Sequence, residues 1–381
     1  MRNENGKSAI KILVALLIIF IIGAGGYLGF RIYQDSKNNQ TEEVAQVEDI
    51  LDENEEEEPI VVKEVTTYKG TDRPIAVMID NNKDAWPHAG LNEAYAVYEI
   101  IVEGGESRLM AVFKGKDLEK IGPIRSARHY FLDYALENDA IYTHYGQSPQ
   151  AEKDIKSLKI DNVNGLIYSK NDFWRVKDKS APHNAVTSTK NILNIAENKK
   201  SYRTTSDAES VLNYSVDEIE LESDIIADAV EIPYSKSNLV KYEYNPETKR
   251  YVRYSKKVLQ TDWDTKEEVT TKNIIITFAR NTTLNDGENK GRQNLKNVAT
   301  LDGYYITNGK AIKITCEKTA RAEQTIYRDL NGEEIKVNDG NTFFQICPID
   351  ADVEFISNQP EEVVDGNTIG NNVTTTAQNA L

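Results

Sequence analysis

Cysteine is almost absent from this chain: Cys316 and Cys347 are the two among 381 residues, and both fall late. They leave room for at most one disulfide. Outside the cytoplasm that bridge stands open beside two buried free thiols, because sequence does not give the distance between them. Histidine is nearly as scarce, with His88, His129, His144 and His183 the only four. No two share the spacing of ligands on one element, so no metal site is expected. A dinucleotide fingerprint is missing as well, since Glu103-Gly104-Gly105 lacks the third glycine and the following helix. No cofactor is expected. Basic charge is in deficit, 45 Lys and Arg against 61 Asp and Glu, which argues against non-specific nucleic-acid binding. The deficit is local: residues 42–58 hold ten carboxylates and no cation, and supply −10 of the formal −16.

What is present begins with nineteen uncharged residues, Ile12 to Phe30. As a helix that run crosses a bilayer core of about 30 Å. Arg2, Lys7 and Lys11 precede it, so the positive-inside rule keeps residues 1–11 in the cytoplasm and places everything after Arg31 outside. The expectation for 12–30 is a transmembrane signal anchor. The protein would then lie in the cell membrane, single-pass, with its bulk extracytoplasmic. A cleaved signal peptide is the competing reading. No cysteine lies near the run to carry a lipid. Residues 31–69 read as an acidic disordered spacer and 351–381 as a disordered polar tail.

Between these ends the chain reads as α+β. Short apolar runs at Ile75–Ile79, Val97–Val102, Leu109–Phe113 and Ile141–Thr143 predict strands. Helical patterns at Leu91–Ala96, from Gly122-Pro123 onward, at Ala151–Leu158 and at Thr187–Asn198 alternate with them. The result is an α/β domain over 70–200. Residues 201–232 form a connection. From 233 to 350 short alternating runs and the hairpin signals Asn308-Gly309, Asn331-Gly332 and Asp339-Gly340 predict a mostly β domain. The tyrosines Tyr242, Tyr244, Tyr251 and Tyr254 are expected to pack across one hairpin there rather than to bind a ligand.

The chemistry gathers in Gly122–Tyr145. Gly122-Pro123 is expected to open a helix whose first turn carries Arg125 and Arg128, with Ser126 as its cap. Free N–H groups and paired guanidiniums there favour an anion. In open α/β sheets ligands bind beyond the carboxyl ends of the strands, where Asp80, Glu103 and His144 are expected. Arg108, Arg175, His183 and Asn184 lie in or beside loops able to join them. His144 and Glu103 are the candidate acid and base. The alternative is a set of structural ion pairs, Arg125 and Arg128 with Glu103 or Asp133.

The segments RPIAVMIDN (73–81), GLNEAYAVYEIIVEGGESRLMAVF (90–113), GPIRSAR (122–128) and APHN (181–184) resemble the YerB-like bacterial family. The later YEYNPETKRYVR (242–253), NIIIT (273–277) and DGYYITNGKAIKIT (302–315) are similar to its C-terminal domain. The resemblance implies an exported two-domain protein, and many members resemble lipoproteins. This chain departs from them in having no lipobox cysteine, and Cys316 stands where the pattern has an aromatic residue. The family implies no activity. Three functions stay open: binding of an anionic envelope glycan, lipid or protein partner; an envelope phosphotransferase or hydrolase in the same cleft; and a non-catalytic scaffold.

Overall fold

In the computed structural model the described residues are 63–358, with a few positions in 26–34 and 374–376. Most of the run 12–30, most of the acidic spacer and most of the tail lie outside them. Among the described residues no helix is long and apolar enough to cross a membrane.

The first strand, β1 (Ile75–Asp80), is buried along its whole length. Its apolar side chains alternate between two cores, as the period of two requires. Ile75, Val77 and Ile79 face one hydrophobic cluster, and Ala76 and Met78 face another. Four more strands of the same sheet follow in the first half: β2 (Ala96–Ile101), β3 (Ser107–Phe113), β4 (Ile141–His144) and β5 (Asn162–Asn164). β1 pairs antiparallel with β3 and parallel with β4, while β2 pairs antiparallel with β3. β4 pairs parallel with β5. The carboxyl ends of β1, β2, β4 and β5 therefore share one edge.

The second half contributes an antiparallel group, β6 (Ala229–Ser235), β7 (Asn238–Asn245) and β8 (Arg250–Ser255). After it come β9 (Asn273–Thr283), β10 (Thr300–Thr307), β11 (Lys310–Glu317), β12 (Ile326–Arg328), β13 (Thr342–Pro348) and β14 (Glu354–Ile356). The central sheet runs β12-β11-β10-β9-β13-β2-β3-β1-β4-β5. Its seam is β13, which pairs parallel with both β9 and β2. Strands from both halves thus build one sheet, and Tyr98 of β2 stacks on Phe344 of β13 with centroids 4.4 Å apart.

The second sheet, with β8-β7-β6-β14 in order, covers one face of the first. Helices α1 (Phe131–Glu137) and α2 (Pro149–Ser157) cover the other, packing Phe131, Leu132, Ala151 and Ile155 beneath it. A short helix, α3 (Thr189–Asn194), joins the first cluster through Ile192. Its N-cap Ser188 accepts from Asn191 N, as a capping serine should.

A polar network crosses the apolar layer between the sheets. Glu99 of β2 and Arg253 of β8 are fully buried and 2.9 Å apart. Ser107 donates to Glu99 Oε1 at 2.6 Å, as does Asn81 at 3.0 Å, and Gln345 of β13 donates to Oε2 at 3.2 Å. On the helical face Lys318 reaches the buried Glu137 of α1 at 2.7 Å.

Several local expectations change. Leu91–Ala96 is a single 3-10 turn, Leu91–Glu93, and Ala96 already starts β2. Asp339-Gly340 is no hairpin: it links 336–338, paired with 213–215, to β13 in the central sheet. Cys316 and Cys347 are both buried free thiols. Asn308-Gly309 does turn β10 into β11. Tyr242 and Tyr251 are fully buried, packing inward as expected.

Removing one member of a buried ion pair strands the other without a counter-charge. Glu99→Gln or Arg253→Met alone should cost about 3–5 kcal/mol in urea unfolding, and the double variant less than the sum of the two.

Candidate functional site

The segment before α1 explains where the arginines go. Gly122 has φ +133°, and a Cβ there would lie 2.9 Å from Ile124 N, so only glycine fits. The following residues run extended, because their backbone groups are taken by neighbours. Asp80 N donates to Pro123 O at 2.9 Å, Ile124 N to Ala185 O at 2.6 Å and Arg125 N to Met78 O at 2.9 Å. Ala127 N donates to Gly146 O at 2.9 Å. The expected helix therefore starts late, at Phe131. Arg125 and Arg128 do not lie in its first turn, and no dipole argument applies to them. Ser126 is not a cap either: its hydroxyl donates to Tyr145 O at 3.1 Å.

The three central arginines divide by burial. Arg128 grips Glu103 with two parallel bonds, Nε to Oε1 at 2.6 Å and Nη2 to Oε2 at 2.8 Å. Burial alone would raise the Glu103 carboxyl, but the Arg128 bonds and charge hold it below its ordinary range. Arg108 lies 3.9 Å from the same carboxylate and donates to Ser126 O at 2.7 Å. Burial, and the charge of Arg128 beside it, push Arg108 down to about 10. These two guanidiniums are spent inside the protein. Arg125 differs. Its side chain keeps 26% exposure, and its partner is Asp80 at 3.3 Å.

Asp80 holds a second group. His183 Nδ1 is 2.7 Å from Asp80 Oδ2, and Arg125 approaches the same oxygen. Asp80 is buried while His183 is partly exposed. His183 arrives on the loop between 174–175 and 185–186, a two-stranded hairpin. Arg175 donates to Asn184 Oδ1 at 2.6 Å and lies over the Tyr145 ring at 5.2 Å. Asn184 in turn donates to Val176 O and Lys179 O, and so fixes the loop.

His144 lies at the end of β4 but faces inward with no exposure. Its Nδ1 is 2.8 Å from Gly146 O and its Nε2 3.3 Å from Asn162 Oδ1. Burial lowers its pKa against the pull of those bonds. Of the residues singled out in the sequence, the fold brings Asp80, Arg125 and His183 together at the edge. Glu103, Arg108 and Arg128 pair off beside them, and Arg175 with Asn184 braces the loop. His144 is apart. The pairing of His183 with Asp80, over 103 residues of sequence, carries no local signal; the APHN motif was the nearest pointer.

Residues 62–203 match the family described as "Protein of unknown function (DUF3048) N-terminal domain", and residues 230–344 match its C-terminal domain. The chain belongs to the DUF3048 family. It is 31% identical over 279 residues to "Putative lipoprotein YerB" of Bacillus subtilis (strain 168), covering 72% of this chain and 79% of that protein. The crystal structure of YerB from Bacillus subtilis superposes with a TM-score of 0.66 at 29% identity, covering 74% of this chain and 94% of that one. In family terms, the DUF3048 N-terminal domain supplies β1 to β5 and the whole Asp80–Arg125–His183 cluster. The DUF3048 C-terminal domain supplies Arg253 and β9 to β11.

A further histidine sets the acid limit of this region. His88 is fully buried, its Nε2 2.7 Å from Asp80 O, and burial lowers its pKa from 6.5 to about 4. The unfolded state takes up a proton near 6.5 that the folded state refuses until about 4. Stability is therefore complete above pH 6.5 and is lost as pH falls through that window, by on the order of 3 kcal/mol from this residue. Thermal melts between pH 7 and 4 should show the loss, and His88→Gln should flatten the slope.

Proposed function

We propose that this protein is a membrane-attached extracytoplasmic protein whose sheet edge binds an anionic cell-envelope ligand. The attachment is supported by the apolar run 12–30 and by the lipoprotein name of its relative YerB. The observation that carries the binding is the division among the arginines. Arg108 and Arg128 are consumed by Glu103 and a backbone carbonyl, while Arg125 reaches the rim with one partly shared carboxylate. Arg175, exposed over Tyr145, adds a second cation at the same edge. Guanidiniums there offer paired donors to a phosphate or carboxylate, at the strand ends where open mixed sheets take ligands.

A second reading, an envelope hydrolase or phosphotransferase, is favoured by the Asp80–His183 contact. A buried carboxylate on Nδ1 fixes the tautomer that leaves Nε2 able to accept a proton. In that reading His183 replaces His144 and Glu103 as the base, with Arg125 stabilising charge in the transition state. The scaffold reading keeps its support in the Glu103–Arg108–Arg128 cluster.

Calorimetric titration of the full chain in detergent with inorganic phosphate and glycerol 3-phosphate separates these. Arg125→Ala should weaken binding about 10- to 100-fold, the worth of a charge-assisted bond, while leaving the melting temperature near that of the wild type. Binding unchanged in Arg125→Ala, with a large loss of stability, contradicts the proposal and favours the scaffold. Turnover of a phosphoester, lost in His183→Asn with phosphate affinity retained, selects the enzyme.

A further inference from the structure

The edge that carries Arg125 also carries two pairs of exposed aliphatic side chains. Leu166 and Ile167, 58% and 67% exposed, form the 3-10 turn that follows β5. Val258 and Leu259, 51% and 36% exposed, follow the turn at the end of β8. Neither pair is a frayed loop. Asn164 Oδ1 accepts from both Leu166 N and Gly146 N at 3.1 Å, which ties the first turn down. Beneath it Gly165 is pressed onto aromatic rings so closely that a Cβ would sit 2.6 Å from both Phe173 and Tyr145. The same construction over Gly146 would find Leu166 Cδ1 at 3.2 Å and Ser126 Oγ at 3.3 Å, so Leu166 adjoins the Arg125–Ser126 segment. The second pair is fixed to the carboxyl end of β2. Lys256 in its turn binds Glu106 at 2.6 Å, and Ser235 beside it donates to Gly105 O at 2.9 Å.

Cations neighbour both pairs in the sequence. Lys170, Arg175 and Lys177 follow the first and are exposed, and Lys257 immediately precedes the second. The nearby carboxylates are largely neutralised: Asp172 by Lys199 at 2.9 Å, Glu106 by Lys256, Glu103 by Arg128. Asp178 stands between Lys177 and Lys179. In a chain of net charge −16 this edge is locally basic and tipped with aliphatic groups.

We infer that this edge rests on the membrane: Leu166, Ile167, Val258 and Leu259 enter the interface of an anionic phospholipid bilayer, and the flanking Lys and Arg side chains meet its phosphates. Apolar tips held on a rigid stem, with basic neighbours, are the composition that interfacial binding requires. The inference rests on the membrane attachment proposed above and goes beyond it. It makes the bilayer surface itself a ligand of the folded part, and makes a lipid phosphate a natural occupant of the Arg125 site.

The test places an environment-sensitive fluorophore on Ile167→Cys, on Val258→Cys and, as control, on Leu330→Cys, an exposed site on a different loop. Cys316 and Cys347 are buried and should not compete for the label. The full chain is reconstituted in vesicles containing phosphatidylglycerol or phosphatidylcholine alone. Positions 167 and 258 should shift to the blue in phosphatidylglycerol vesicles and 330 should not. The shift should fall at least threefold in phosphatidylcholine, at about 0.5 M salt, or with Lys170→Glu and Lys257→Glu combined. No shift at 167 and 258, or an equal shift at 330, overturns the inference. If inorganic phosphate still binds at Arg125 in that case, only the docking surface is wrong; if it does not, the binding function fails as well.

Discussion

The ion pair between Glu99 and Arg253 is the contact on which the rest of the arrangement depends. Both side chains are completely buried, and they belong to different sheets and different sequence domains of the family. A buried pair gains little over apolar residues of the same volume, so its value lies in specifying which surfaces meet. Here it has help. Glu99 also accepts from Ser107, Asn81 and Gln345, and the side chain of Asn81 follows directly on Asp80. The network that registers the two sheets thus reaches Asn81, the chain neighbour of the residue that contacts Arg125 and His183.

This coupling explains why the site is divided as it is. Residues at the carboxyl ends of parallel strands sit between a sealed interior and solvent. Arg108 and Arg128 fall on the inner side, and the partly exposed Glu103 pairs with both. Asp80 stays buried but presents one oxygen outward, to a histidine and a guanidinium from two different loops. The segment 122–128 is threaded between β1, 145–148 and 185–187, so Arg125 is positioned by backbone bonds rather than by a helix.

Much of the fold was legible. The apolar runs gave the strands because buried strands need continuous or alternating apolar residues. The carboxyl-edge position of Asp80, Glu103 and His144 also followed from strand order. What was not legible was non-local. Nothing in 342–348 says that it inserts between β9 and β2 instead of closing a hairpin after Asp339-Gly340. The glycine–proline pair at 122–123 reads locally as a helix start, yet the backbone groups after it are claimed by strands from elsewhere in the chain. At the site, residue types and neighbourhood were readable, but roles were not. His144 and His183 look alike in sequence, and only burial separates an inward histidine from one at the rim.

The central claim is that one guanidinium of the cluster is open to an outside anion while its two neighbours are committed inside. Arginine Nε resonances, followed by nitrogen-15 NMR as inorganic phosphate is added, address it residue by residue. The account predicts a saturable shift at Arg125, with a smaller one at Arg175, and none at Arg108 or Arg128. Shifts at Arg128, or no change at Arg125 while the others move, would contradict it.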